Sequence, residues 1–132
     1  MRDVEFSILK GKTITAIEGM EPHSETVYFR CEDGTRYKMF HLQDCCETVD
    51  LEDVFGDPES LIGSPVTMAE ESVDSGENGL CDSYTWTFYK LATLKGYVTL
   101  RWHGRSNGYY SESVQFFELD EAEDRNSRKI DW

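Results

Sequence analysis

Glu25–Thr26–Val27–Tyr28–Phe29–Arg30–Cys31–Glu32–Asp33–Gly34–Thr35–Arg36–Tyr37–Lys38–Met39–Phe40–His41–Leu42 is the stretch that decides the fold class. Its first half alternates, with Val27, Phe29 and Cys31 on one face and Thr26, Tyr28, Arg30 and Glu32 on the other, the period of a half-buried strand. Asp33–Gly34 then offers the residue pair favoured in a tight two-residue hairpin, where the central positions need positive φ. Residues 35–42 form the return strand, and Cys31 reads as an ordinary core thiol.

Upstream, residues 12–18 are rich in β-branched side chains and close on Gly19, which predicts a strand. Residues 1–11 read as a short lead-in, with Phe6, Ile8 and Leu9 available to dock on a core. Downstream, Asp57–Pro58 followed by Gly63 carries the N-cap, first-turn proline and stop signal of a single helical turn. Residues 66–72 read as a strand, and Glu70, Glu71 and Asp74 lead into a loop over residues 75–79. A second, longer hairpin joins residues 82–93 to 97–103, with Tyr84, Trp86 and Phe88 expected in the core. The last strand is expected from Tyr109 to about Leu119, and residues 120–132 form a charged tail with room for a short helix. The sum is a single, mainly β domain: an antiparallel sheet of seven to eight strands, folded as a sandwich or partly open barrel, with minor helix content.

Between the first hairpin and the helical turn lies the most polar stretch, residues 39–53, where one histidine, two adjacent cysteines and five carboxylates crowd together. Continued as a strand, it puts His41, Cys45, Glu47, Val49 and Leu51 on one face, with a bulge near Gln43–Asp44 as the alternative. His41, Cys45 and Glu47 are the residues that would hold a zinc ion, since zinc accepts imidazole, thiolate and carboxylate together. The spacing lends this little support, having no Cys-x-x-Cys and no second histidine nearby, and a polar network in which His41 bonds Asp44 or Glu47 explains the same residues. A cysteine nucleophile with His41 or His103 as base lacks any sign of an oxyanion hole, and the acids from Asp50 to Asp57 fail the spacing of a calcium loop. No catalytic residue is assigned.

Charge is distributed unevenly. The chain has a formal net charge of −13, and residues 39–89 hold twelve acids with no lysine or arginine. A field of one sign repels phosphates and anionic membranes and attracts basic protein surfaces. At 132 residues the chain is long enough to bury roughly two thirds of its unfolded surface. The first residues lack the apolar run of a signal peptide and no segment is long enough to span a bilayer, so a cytoplasmic protein with thiol cysteines is expected. Cys45 and Cys46 are expected to stay unbonded, because neighbours in a strand point to opposite faces.

His41-x-Gln43-Asp44-Cys45-Cys46-Glu47, Glu52-Asp53, Leu61-Ile62-Gly63-Ser64-Pro65, Thr85-Trp86-Thr87-Phe88-Tyr89 and Arg101-Trp102-x-Gly104-x-Ser106-Asn107-Gly108-Tyr109-Tyr110-Ser111 resemble the signature of an uncharacterised domain family encoded largely by bacteriophages. The resemblance covers residues 11–119, implies a phage origin, and implies no catalytic chemistry. His103 stands where such sequences usually carry an aromatic residue.

Together with the charge block, the resemblance suggests an acidic binding protein acting in the host cytoplasm, one that inhibits a nucleic-acid-binding or defence enzyme, such as a nuclease, by occupying its basic surface. Asp44, Asp50, Glu52, Asp53, Asp57 and Glu59 are the expected contact residues, with Tyr109 and Tyr110 as anchors. No direct contact with nucleic acid or membrane is expected. Two alternatives stand beside it. One is a small metal-dependent or nucleotide-directed enzyme on His41, Cys45 and Glu47 with Arg101 as an anion clamp; the other is a sponge that sequesters a small anionic signal on Arg101 and Arg105.

Overall fold

The computed structural model describes residues 1–77, 82–108 and 110–120. It contains nine strands: β1 (Arg2–Asp3), β2 (Ile14–Glu18), β3 (Thr26–Cys31), β4 (Arg36–Phe40), β5 (Thr48–Phe55), β6 (Met68–Glu77), β7 (Ser83–Thr93), β8 (Gly96–Ser106) and β9 (Gln115–Leu119). They form two open antiparallel sheets, ordered β1-β9-β4-β3-β2 and β5-β8-β7-β6. Two short 3-10 turns, Phe6–Leu9 and Pro58–Leu61, complete the described elements. No helix among the described residues is long and apolar enough to cross a membrane.

The first hairpin alternates as its sequence demands: Val27, Phe29, Cys31, Tyr37 and Met39 are buried while their neighbours are not. Its turn is one residue longer than expected. Only Gly34 takes a positive φ, and Cys31 N–H donates to the Thr35 carbonyl, so residues 32–34 make the connection. Asp33 explains the choice, because its carboxylate accepts both the N–H and the hydroxyl of Thr35, as well as a bond from Lys12.

The core lies between the inward faces of the sheets. Trp102, Leu100, Leu51 and Tyr89 from the second sheet meet Phe29, Tyr37, Met39 and Phe116 from the first. Phe6, in the lead-in, bridges the two, with its ring 4.7 Å from Tyr89 and 5.2 Å from Phe116. Phe6 and Leu9 are therefore core residues. Asp57 caps the Pro58–Leu61 turn by accepting the Glu59 N–H, as the sequence indicated.

Three expectations are corrected. On β7 the core face is Thr87, Tyr89, Leu91 and Thr93, whereas Tyr84, Trp86 and Phe88 lie half-buried on the outer face of the sheet. The register supplies the reason: Thr87 stands opposite Trp102 on β8, and the indole already fills that part of the interior. Residues 75–77, expected in a loop, continue β6 as an edge strand paired along its whole length with β7. The final strand starts at Gln115 rather than at Tyr109. The proposed helix over residues 120–128 and the thiol Cys81 fall outside the described residues, apart from Asp120.

Candidate functional site

The polar stretch leaves the sheet. After β4 the chain turns through residues 41–47 and re-enters a strand at Thr48, so the alternation expected there does not hold. Glu47 is the reason. Its carboxylate is buried and accepts the N–H of Asp44 at 2.9 Å, the N–H of Cys45 at 2.8 Å and the Gln43 side-chain amide at 3.2 Å. A carboxylate that collects successive backbone N–H groups curls the chain into a compact turn that an extended strand cannot make.

His41 closes the network. Its Nε2 lies 2.7 Å from Glu47 Oε2 and its Nδ1 lies 2.6 Å from the Ser113 carbonyl. Both ring nitrogens are thus engaged, one by the Glu47 carboxylate and one by the Ser113 carbonyl. Burial alone would raise the Glu47 carboxyl; the Cys45 N–H, His41 and the Asp44 N–H outweigh it and hold the group down at about 2.

This arrangement answers where the metal candidates lie. His41 and Glu47 face each other, and Cys45 points outward, exposed. Cys45 is joined to Cys46 as a vicinal disulfide, which corrects the expectation that these neighbours stay unbonded. Neighbouring side chains point apart in a strand, but residues 41–47 form a turn. With both ring nitrogens engaged and the cysteine sulfurs bonded to each other, the trio offers no open ligand set. Among the described residues no group of three or more His, Cys, Asp or Glu is arranged to hold a metal ion.

A second buried carboxylate, Glu112, gave no signal in the sequence. It accepts the hydroxyls of Ser83, Thr85 and Ser106, on β7 and β8. Burial opposes ionisation here, but these three hydroxyls and the nearby His103 bring the carboxyl below its ordinary value. Gly104 is what admits the segment, since a Cβ there would sit 2.8 Å from both the Cβ and the carbonyl oxygen of Glu112. The residues 41–47 and 110–115 thus meet, through His41 and Ser113 and through Leu42 N–H on the Gln115 side chain. The two stretches that are most distinctive in the sequence build one structural junction.

The expected contact acids do not form a single patch. Asp44 is exposed on the turn, while Asp50, Glu52 and Asp53 lie along β5 and Asp57 and Glu59 follow around the 3-10 turn. Two of them are occupied: Arg101 Nη2 lies 2.8 Å from Asp53 and 3.7 Å from Glu52. Arg101 is accordingly not a free anion clamp, and Arg105 stands four residues further along β8. The backbone edge of β5 is also partly covered, since Leu51 exchanges hydrogen bonds with His23 and Ser24. Tyr110 is half-buried and Tyr109 is outside the described residues.

The opposite edge is different. β6 carries Glu70, Glu71, Asp74 and Glu77, and among the described residues none of them forms an ion pair, although Lys90 stands opposite Glu70 on β7. Beside it a cleft of about 810 Å³ opens between the sheets, lined by Asp3, Glu5, Glu70 and Glu71 together with Phe6 and Val114. Its lining contains no lysine or arginine.

No curated protein and no solved structure matches the chain. Residues 7–116, more than half of its length, match the family described as Domain of unknown function (DUF7448), and the chain belongs to that family.

Proposed function

We propose that the protein works by binding, as an acidic protein that covers a basic surface on a protein partner. The observation that carries this reading is the β6 edge with its adjoining cleft, where four carboxylates gather with Lys90, opposite Glu70, as the facing base on β7 and no ion pair among the described residues. Such a surface has a field that draws in lysine and arginine and repels phosphate. Enzymes that handle nucleic acids carry basic surfaces of this kind, and a host nuclease or other defence enzyme, inhibited by a phage-encoded protein, is the partner class that the sequence resemblance favours.

The enzymatic alternative draws no support from the His41, Cys45 and Glu47 geometry, in which each group already has a structural partner. The anion sponge meets the same difficulty at Arg101, held by Asp53.

The test is retention of partners from host lysate on the immobilised protein at low and at high salt. Partners with basic surfaces should be held at low salt, released at high salt, and lost when Glu70, Glu71, Asp74 and Glu77 are replaced by Gln and Asn. Retention that ignores both salt and those replacements would sink the reading.

A further inference from the structure

The outer face of the second sheet holds an arrangement that the acidic edge alone does not explain. Read across the strands from β5 to β6, one row is Asp50–His103–Trp86–Asp74 and the next is Asp53–Arg101–Phe88–Ser72. Rings and the Arg101 guanidinium occupy the middle, and Asp50, Asp53 and Asp74 stand at the margins, with Ser72 at the fourth position. Tyr84 extends the stripe, its ring lying over Gly76, where a Cβ would come within 2.6 Å of the phenol oxygen.

The stripe is already ordered. The Trp86 ring sits 4.2 Å from that of His103, and the Arg101 guanidinium lies 5.0 Å from Trp86 and 5.4 Å from Phe55. Arg101 is fixed in turn by Asp53. Side chains held in place before contact lose little freedom on binding, and tryptophan, tyrosine and arginine are the residues that most often dominate interfaces. The face is open: Tyr84, Trp86, Phe88, Arg101 and His103 all retain exposure, and Phe55 and Tyr97 are 47% and 68% exposed.

We infer that this face is a docking surface for an amphipathic α-helix of a protein partner, apolar on one side and basic along its flanks. The inference rests on the binding reading above and names the partner's form. Three inter-strand spacings separate β5 from β6, about 14 Å. A helix with its side chains measures about 10–12 Å. Laid along β7, it sets its apolar stripe on Trp86 and Phe88, and lysines or arginines on its two sides reach Asp50 and Asp74. A nucleic-acid strand could stack on the same rings, but its phosphates would meet the two acidic margins.

The probes are a synthetic Leu/Lys peptide with helical amphipathic spacing, the same residues in shuffled order, and a single-stranded oligonucleotide, each titrated into the full chain. The ordered peptide should bind at least about tenfold more tightly than the shuffled one, and Trp86→Ala should remove that advantage. Asp74→Lys provides a second variant on an exposed edge position and should weaken the ordered peptide at least about tenfold without touching the core. Equal, salt-sensitive binding of the two peptides overturns the helix inference and leaves the acidic-surface reading in place. Preference for the oligonucleotide overturns both.

Discussion

Glu47 and Glu112 lie inside the molecule, whereas Glu70, Glu71, Asp74 and Glu77 lie along an open edge, and the two sets do opposite things with the same chemical group. The buried pair is saturated: one carboxylate by two backbone N–H groups, an amide and an imidazole, the other by three hydroxyls. The edge set has no ionic partner among the described residues. The contrast teaches that a net charge of −13 is not one quantity. Part of it ties the chain to itself, and only the remainder is available to a partner.

The largest effect expected from breaking this contrast is at His41. Removing the imidazole in His41→Ala opens a cavity and leaves the buried Glu47 carboxylate and the Ser113 carbonyl each short of a hydrogen-bond partner. Buried acceptors left short of a partner, together with the cavity, cost about 3–5 kcal/mol, so thermal or urea unfolding should report a loss in that range. A loss below about 1 kcal/mol would mean that the junction is ornamental. Glu112→Ala comes next, at about 2–3 kcal/mol, because three hydroxyls lose a charged acceptor. Gly104→Ala probes the same nest from beneath, and the overlap with Glu112 should cost about 1–3 kcal/mol.

Acid sharpens the comparison. Glu47 is held at about 2 against an ordinary 4.5, Asp33 at about 2 through its bonds to Lys12 and Thr35, and Glu112 is also depressed. Each binds its proton more readily when unfolded, so its contribution is complete above about pH 4.5 and is lost as pH falls toward 2. The unfolding midpoint should therefore be flat above that value and drop below it. Glu112→Gln should make the drop shallower, and an unchanged profile would show that Glu112 does not differ between the two states.

How much of this was legible depends on whether a residue acts within its own strand or across strands. The alternation of residues 26–31 and 36–40 is local, and it fixed the first sheet's inner face correctly. The Asp57–Pro58 turn is local too. The outer position of Trp86 is not: it follows from Trp102 filling the interior opposite Thr87, a contact between strands. A rule that sends the most apolar face inward picks the wrong side of β7. The turn at residues 41–47 was also hidden, because Glu47 bends the chain by gathering N–H groups that a sequence does not display. Ser111–Glu112–Ser113 gives no local sign that its central residue is buried, since the hydroxyls that hold it come from β7 and β8.

The smallest expected effect is the most discriminating. Asp74→Asn removes one charge from an exposed position facing no described base, so stability should change by no more than about 0.5 kcal/mol. Relief of repulsion from its acidic neighbours on β6 makes a slight gain the expected sign, and added salt should shrink that gain. The same substitution should weaken a basic partner measurably, because the charge it removes is one that the fold does not use. Loss of stability above about 1 kcal/mol would place Asp74 with Glu47 and Glu112 among the acids that hold the protein together. Neutral stability with weakened partner binding would separate the two populations of carboxylate by experiment, as the geometry separates them by position.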